Sequence, residues 1–290
     1  EINRQWQELG RPGFVVACSS CYRVLKNNLP ESKIISIWEL YDRLGLPVGC
    51  AEENPGTVAV HDPCTTRQEK HIHKSVRNIL KKLNYDVEEL KYSGEKTECC
   101  GYGGLMCFAN PELAYQVTER RISESKSDYV TYCSMCRDRF VAGGKRTFHM
   151  LDLIYGSDKR ALAERKDPGY SQRHENRVRL KNRMLREVWG EEVREKKSFK
   201  KIELELSNEV REIMENRLIL EEDVQKVIEH AEGGGNKLYN EDTGRYLACY
   251  RPASVTYWVV YSRRGNRFIV HNAYSHRMHV SGDVKNYEQH

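Results

Sequence analysis

The sequence predicts an α/β fold: a duplicated cysteine-rich domain with an incomplete first repeat, then a charged helical linker and a small α+β module. Apolar strand-like runs alternate with amphipathic helical patterns up to residue 158, which is typical of a layered fold with parallel strands. Two stretches of this region resemble each other, and the composition changes again near residue 217. The predicted domains are residues 1–158 (repeats 1–50 and 51–158), 159–216 and 217–290.

The two similar stretches each contain an apolar run, a C-x-x-C pair and the polar start of a helix. The first covers residues 14–25 with Cys18 and Cys21, and the second covers residues 129–140 with Cys133 and Cys136. The similarity continues downstream, where residues 37–40 correspond to 150–153. We therefore predict an internal duplication in which the first copy retains only its closing cysteine pair.

The second copy is predicted element by element from its pattern. Residues 57–61 are a buried strand, and apolar residues at helical spacing predict a helix over 68–83. A further strand covers 85–90. The next helix runs from Pro111 to Ser125, with Asn110 as its N-cap and proline in its first turn.

Five cysteines of the second copy form a ligand pattern. They are Cys64, the adjacent pair Cys99 and Cys100, and the C-x-x-C pair Cys133 and Cys136. Neighbouring side chains diverge, so two adjacent cysteines are poorly placed to bind one tetrahedral ion, whereas a cluster of several irons spreads its ligands over more space. The pattern favours an iron–sulfur cluster. A structural zinc site remains the alternative from another class, and visible absorption near 400 nm distinguishes the two.

Composition restricts the other possibilities. The 10 cysteines of the chain could form disulfides, but a chain of 290 residues with an ordinary core does not need them, and we expect reduced thiols in a cytoplasmic protein. Residues 159–201 carry 15 Lys and Arg against 7 Asp and Glu, without a nucleic-acid-binding motif. We expect no nucleic-acid partner and, because no apolar run reaches about 18 residues, no membrane span.

Three motifs of the second copy resemble the cysteine-rich CCG domain. They are His61-Asp62-Pro63-Cys64, Cys99-Cys100-Gly101-Tyr102-Gly103-Gly104 and Cys133-Ser134-Met135-Cys136. The resemblance covers roughly residues 14–156. It is to iron–sulfur proteins of the heterodisulfide reductase B/D-related family, and to iron–sulfur subunits of glycolate oxidase, lactate-utilisation and anaerobic glycerol-3-phosphate dehydrogenase systems.

The resemblance implies that the five cysteines ligate a [4Fe-4S] cluster, of the non-cubane type that reductively cleaves a disulfide in the best-understood relatives. Tandem motifs in the family imply a further cluster on Cys18 and Cys21, which here is either completed by preceding sequence or another chain, or incomplete, or absent.

Four residues beside the cysteines are candidates for tuning the cluster. Gly101, Gly103 and Gly104 allow backbone N–H groups to point at cluster sulfurs, although an ordinary tight turn explains them equally well. His61 is a candidate hydrogen-bond donor or proton source near the cluster, and a purely structural histidine is the alternative.

The C-terminal region is predicted to contain a helix near 220–230, ended by a glycine run, followed by strand-like runs at 246–250, 255–261 and 267–271. The last two runs are joined by a hairpin signal. We expect this module to serve in docking to the other components of a complex.

Together these features predict an iron–sulfur subunit of an anaerobic redox complex. It would reduce a small-molecule disulfide with electrons from a flavoprotein or ferredoxin-like partner, since the chain has no G-x-G-x-x-G after a strand with which to bind a flavin itself. The alternative is an electron-relay subunit of a flavin dehydrogenase for a hydroxy acid or glycerol phosphate, passing electrons toward quinone.

Overall fold

The computed structural model describes residues 1–192 and 198–277, and the chain divides into two compact units at Asp167/Pro168. The helices of the first unit are α1 (Ile2–Glu8), α2 (Ser19–Asn28), α3 (Ile37–Leu44), α4 (Lys70–Lys82), α5 (Met106–Ala109), α6 (Pro111–Ile122), α7 (Ser134–Ala142), α8 (Met150–Tyr155) and α9 (Lys159–Glu164). Its strands are β1 (Phe14–Val16), β2 (Ile34–Ser36), β3 (Thr57–His61), β4 (Asp86–Glu89), β5 (Asp128–Thr131) and β6 (Thr147–His149).

A parallel sheet forms the centre of the first unit. Its four strands lie in the order β4-β3-β5-β6, and β1 and β2 form a separate parallel pair. Side chains alternate between the two faces along β3 and β5. Val58, Val60 and Val130 pack into the larger apolar core, whereas Ala59 and Tyr129 on the other face pack with Cys100, Cys136 and Phe140.

The two C-x-x-C stretches have the same order of elements. Each runs strand, helix, strand, helix, from β1 to α3 and from β5 to α8, with a parallel strand pair in each. Cys18 and Cys133 occupy the N-cap positions of α2 and α7. The following helices both begin with a capping box, formed by Ser36 with Glu39 and by His149 with Asp152. That these stretches arose by duplication remains a prediction.

The second unit is an α+β module. Its helices are α10 (Gly169–Glu187), α11 (Asn208–Asn216) and α12 (Glu221–Glu232), and its strands are β7 (Glu203–Leu206), β8 (Lys237–Asn240), β9 (Arg245–Tyr250), β10 (Thr256–Arg264) and β11 (Arg267–His276). The sheet order is β7-β11-β10-β9-β8, with β7 parallel to β11 and the other pairs antiparallel. Helices α11 and α12 pack on its apolar face.

The structure differs from the predicted linker of residues 159–216. Helix α9 belongs to the first unit, because Ala163 is fully buried in the core of that unit. Strand β7 and helix α11 belong to the module predicted to begin at residue 217, because Leu204 and Leu206 pack against its core. The many charged residues of 159–216 favoured a linker, although Glu and Leu alternate at 203–206 as in a strand. Residues 193–197 of the predicted linker and 278–290 of the predicted module lie outside the described residues.

Within residues 1–192 and 198–277, no helix is both long and apolar enough to cross a bilayer.

Candidate functional site

Three segments deliver the five cysteines to one edge of the central sheet. Cys64 opens a short 3-10 turn just after β3, and Cys133 caps α7 just after β5. Strands β3 and β5 are parallel neighbours, so their carboxyl ends meet at the same edge of the sheet, where α/β proteins usually bind ligands. Cys99 and Cys100 come from the loop that leads toward α5.

The five thiols form a continuous row. Neighbouring side chains interact in the order Cys64, Cys99, Cys100, Cys136, Cys133. Cys100 and Cys136, in the middle, are buried, while the other three are partly exposed. The row therefore has a buried centre and accessible ends, which an elongated ligand with several metal ions can match.

Two of the five sulfurs have pKa values below the usual value for cysteine, which favours their thiolate forms. Hydrogen bonds from the Cys100 and Cys64 thiols, and from the backbone N–H groups of Gly101 and Gly103, hold the pKa of Cys99 far below its usual value. Hydrogen bonds from the Cys136 thiol and from backbone N–H groups at the start of α7 lower the pKa of Cys133 to about 7. Metal ligation requires the thiolate form, so both sulfurs are prepared for it.

The three candidate glycines have different surroundings. Gly101 has φ +93°, and a Cβ there would lie 2.5 Å from both Ala114 O and Thr118 Oγ1. A Cβ at Gly103 would lie 3.3 Å from Cys99 Sγ, so this glycine leaves space directly beside the sulfurs. Gly104 has φ +66° and open space around it, as in an ordinary left-handed turn.

The buried carboxylate of Asp62 ties the cysteine segments together. Arg77 Nη1 and Nη2 donate to its two oxygens at 2.8 Å each. The Gly94 N–H donates at 2.8 Å, from the segment before Cys99, and Tyr132 OH donates at 2.9 Å, from the residue before Cys133. Asp62 itself lies two residues before Cys64, so one side chain contacts or neighbours all three cysteine segments.

His61 is buried at the end of β3, on the face of the sheet that carries Cys100 and Cys136. Arg121 Nε donates to His61 Nδ1 at 3.2 Å, and the imidazole packs edge-on against Phe140 with ring centroids 4.7 Å apart. Burial and then the Arg121 charge lower the pKa of His61 to about 3, while the Cys99 charge acts in the opposite direction. His61 is therefore a neutral imidazole near neutral pH.

Cys18 and Cys21 are not part of the row. Both are exposed at the start of α2, and the Cys21 N–H donates to Cys18 Sγ at 3.4 Å. The neighbouring residues connect the two regions, since Thr65 Oγ1, next to Cys64, donates to Ser19 Oγ at 2.7 Å. A second cluster on Cys18 and Cys21 remains a prediction.

The residues around the thiol row fit an iron–sulfur cluster. Five cysteine thiols form a donor set of the kind that holds such clusters, although no three His, Cys, Asp or Glu side chains in residues 1–192 and 198–277 are placed to hold one metal ion. Among the described residues, three buried polar atoms close in sequence to the cysteines have no hydrogen-bond partner: His61 Nε2, Thr131 Oγ1 and Arg137 Nε. All three can donate hydrogen bonds, and a sulfur-rich, net-negative group would accept them.

Two residues of the candidate site are not predicted from the sequence, Asp62 and Arg121. Asp62 appears there only within a motif, although a carboxylate directly after a buried strand is a recognisable sign of a buried charge. Arg121 lies on α6 on the same face as the buried Ala114 and Thr118. A charged residue on the apolar face of a predicted helix was the available signal there, because buried charges require partners.

Comparison with known protein families identifies the same region. The cysteine-rich domain called CCG matches residues 58–140, which contain all five cysteines of the row. No solved structure matches the chain significantly.

Curated relatives match slightly less than half of the chain. An uncharacterized iron–sulfur protein of Methanococcus maripaludis is 29% identical over 143 residues, which are 45% of this chain and 27% of the relative. One component of the dihydromethanophenazine:CoB–CoM heterodisulfide reductase of Methanosarcina barkeri is 26% identical, over 45% of this chain and 36% of its own length. EtfAB:quinone oxidoreductase of Syntrophomonas wolfei is 24% identical, over 46% of this chain and 21% of its own length.

The chain thus spans about a third or less of the length of these three relatives. Its relatives include iron–sulfur proteins and oxidoreductase subunits. The motifs and the family match agree on one region: residues 58–140 match the cysteine-rich CCG domain.

Proposed function

We propose that the chain is an iron–sulfur subunit of an anaerobic, cytoplasmic redox complex, and that it reduces a disulfide as heterodisulfide reductase does. The observation that carries this proposal is the row of five thiols with accessible ends. Cys64, Cys99 and Cys133 are partly exposed, whereas Cys100 and Cys136 are buried. A ligand set of this kind holds a cofactor firmly at its centre and leaves room for a substrate sulfur at its edge.

The five cysteines would hold a [4Fe-4S] cluster of the non-cubane type, with Cys99 and Cys133 already biased toward thiolates. When bound, such a cluster supplies electron-transfer chemistry. Gly103 keeps the space beside Cys99 and Cys64 free of a side chain. Asp62 connects the three cysteine segments through its hydrogen bonds with Arg77, Gly94 and Tyr132.

The overall reaction takes two electrons and two protons for each disulfide and yields two thiols. The S–S bond breaks, the disulfide is reduced, and a flavoprotein or ferredoxin-like partner is oxidised in turn. The part of the heterodisulfide reductase component that this chain matches is 36% of its length, so substrate identity and electron donor belong to the proposal.

The test is iron and acid-labile sulfide analysis of the whole chain, purified or reconstituted without oxygen, combined with electron paramagnetic resonance. We expect about four irons and four sulfides per chain, the composition of the proposed cluster, and a paramagnetic signal that changes on addition of a thiol or disulfide. Cys99→Ala combined with Cys100→Ala should abolish both the iron and the signal.

The matched control removes two cysteines outside the row. Cys50→Ala combined with Cys249→Ala should leave the iron content and the signal unchanged. Zinc without iron in the wild-type chain would overturn the redox assignment, and a cluster indifferent to thiols and disulfides would overturn disulfide reduction.

A second candidate is an electron-relay subunit that passes electrons from a flavin dehydrogenase toward quinone. The similarity to EtfAB:quinone oxidoreductase favours it, over 46% of this chain. The two candidates differ in one measurable respect. A relay subunit is reoxidised by a quinone analogue and is indifferent to disulfides, whereas a disulfide reductase shows the reverse behaviour.

A further inference from the structure

Two polar side chains lie next to each other on the sheet face that carries the buried cysteines. His61 of β3 is paired with Thr131 of β5 in the parallel register, just as Ala59 is paired with Tyr129 two residues earlier. Because side chains alternate along a strand, His61 lies on the face of Ala59, and Thr131 on that of Tyr129. Ala59 and Tyr129 pack with Cys100 and Cys136. His61 and Thr131 thus occupy the cysteine end of that face.

Both side chains are completely buried, and each has a polar atom without a partner. His61 and Thr131 have no solvent-exposed surface, and His61 Nε2 and Thr131 Oγ1 make no hydrogen bond. Buried polar groups in proteins nearly always have a partner. Two adjacent polar groups without partners, at the same end of a strand pair, therefore indicate that a hydrogen-bond acceptor binds beside them.

The tautomer of His61 is fixed by its other nitrogen. The Arg121 guanidinium is permanently charged and can only donate hydrogen bonds, so His61 Nδ1 accepts and Nε2 carries the proton. Arg121 is itself fixed, since its Nη1 donates to both oxygens of Glu124 at 2.8 Å and its Nη2 donates to Tyr92 O at 2.7 Å. The free atom of His61 is consequently a donor with a defined direction.

We propose that His61 and Thr131 donate hydrogen bonds to the iron–sulfur group held by the thiol row, with Arg121 and Glu124 as positioning residues, and that these bonds raise its reduction potential. The inference rests on the proposed cofactor but not on the disulfide substrate. A hydrogen bond to a cluster stabilises the more negative, reduced form, because added electron density falls largely on the sulfurs.

The first arm of the test uses the metal-free chain and compares two buried threonines on neighbouring strands. Thr131 Oγ1 is unpartnered, whereas Thr147 Oγ1 of β6 donates to Lys145 O at 3.0 Å. Valine has nearly the same shape as threonine and lacks the hydroxyl. We expect Thr131→Val to keep or raise the urea midpoint of unfolding, and Thr147→Val to lower it, since only the latter change removes a hydrogen bond.

The second arm uses the chain loaded with iron and sulfide. We expect His61→Leu and Thr131→Val each to lower the reduction midpoint, with roughly a tenfold change in the reduced-to-oxidised ratio at a fixed potential, or about 59 mV for one electron. His61→Gln, which retains an N–H donor, should recover part of the shift. Arg121→Lys should lower the midpoint less than His61→Leu does, and Thr147→Val should leave it unchanged.

A direct readout accompanies the potential. After exchange into deuterated buffer, electron–nuclear double resonance should show an exchangeable proton coupled to the wild-type cluster, and this coupling should be lost in His61→Leu. Wild-type midpoints and couplings in both variants would overturn the inference. So would a Thr131→Val protein that is destabilised without metal as much as Thr147→Val.

Failure of the inference can be separated from failure of the proposed function. If His61→Leu and Thr131→Val keep the wild-type reduction midpoint, and the wild-type chain reduces a disulfide, the result counts against the two donors alone. Lowered midpoints in a chain whose cluster ignores disulfides count against the disulfide substrate alone and leave the donors supported.

Discussion

Asp62 shows how much one side chain contributes to the site. It is fully buried, and its carboxylate accepts four hydrogen bonds: two from Arg77, one from Gly94 N–H and one from Tyr132 OH. Its backbone oxygen also accepts from Thr97 Oγ1 at 2.7 Å. An ionised group can be buried when its partners satisfy it in this way. The consequence is that three segments distant in sequence share one anchor.

Replacing Asp62 by Asn should destabilise the metal-free chain by at least about 2 kcal/mol, because it removes the buried charge to which Arg77, the Gly94 N–H and Tyr132 OH donate. Urea denaturation at neutral pH measures this change. Glu89→Gln is the matched control, since Glu89 contacts the same guanidinium but its side chain is 46% exposed, and we expect a loss below about 1 kcal/mol. Equal losses in the two variants would contradict the role assigned to Asp62.

Gly101 is the glycine of the cysteine loop that cannot carry a side chain. Gly101→Ala should destabilise the metal-free chain by at least about 2 kcal/mol, because it adds a clash with Ala114 O and Thr118 Oγ1 to the cost of φ +93°. Gly104→Ala meets open space and should cost only about 1 kcal/mol for its left-handed backbone. Urea unfolding of both variants tests the difference, which a smaller loss for Gly101→Ala would refute.

Helix α6 supports the segment that contains Cys99 and Cys100. Thr118 Oγ1 donates to Cys100 O at 2.9 Å, Gly101 packs against the helix, and Arg121 holds His61. The helix begins where the sequence predicted, with Asn110 Oδ1 accepting from the Leu113 N–H at 3.0 Å and Pro111 in the first turn. A helix predicted from capping signals thus proved to carry part of the site.

The contribution of this N-cap to the free energy of unfolding should be measurable. Asn110→Ala should lower the free energy of unfolding by about 1 kcal/mol, and Asn110→Ser should retain most of it, since serine also accepts from the first turn. Thermal unfolding of the metal-free chain is the measurement. Asn182→Ala in the interior of α10 is the control and should cause no loss, because alanine is the better helix former there. A stable Asn110→Ala protein would mean that the cap does not contribute.

In the second unit, Glu232 at the end of α12 ties the helix to the sheet. It accepts from Tyr261 OH at 2.6 Å and from Lys237 Nζ at 2.8 Å. Burial opposes its ionisation, but these two donors outweigh burial and hold the pKa of Glu232 below its usual value. A lowered folded-state pKa stabilises the folded state above the unfolded pKa of about 4.3, and this stabilisation is lost as the pH falls through the folded value.

We therefore expect Glu232→Gln to lower the stability of the second unit by about 1 kcal/mol at pH 7, and the difference from wild type to shrink below about pH 4. Unfolding midpoints between pH 3 and pH 7 test this. Glu229→Gln, on the same helix, should show little change at either pH. A difference that stays constant down to pH 3 would contradict the assignment.

In the described part of the chain, each of the two units has its own apolar core. The thiol row and both apolar clusters around the parallel sheet lie in residues 1–167, while the third cluster lies entirely in the second unit. Each apolar core is thus complete within its own unit, as expected of separate domains.

The two units should therefore fold when produced separately. We expect residues 1–167 to bind as much iron as the whole chain, and residues 168–290 to unfold cooperatively without iron. Iron analysis and circular dichroism of the two fragments check this, with the whole chain as the control. A first fragment that binds no iron, although the whole chain does, would show that the second unit completes the metal site.

Local sequence patterns are enough to predict several of the elements and to propose the ligand set. Strand β3, helices α4 and α6, and the β10–β11 hairpin lie close to their predicted positions, because burial period, caps and turn residues act over a few positions. The five cysteines were recognisable for the same reason, since their spacing and adjacency are written directly in the chain. Strand β7 was missed because its burial depends on a partner some sixty residues away.

The contacts that surround those cysteines depend on the tertiary structure. Asp62 contacts residues 15, 32 and 70 positions away, and Arg121 contacts a histidine 60 positions away. No local pattern encodes such pairs, because a buried charge is tolerated only where folding brings its partners to it. The order of the thiols and the two unpartnered donors, His61 and Thr131, likewise follow from which strands are neighbours.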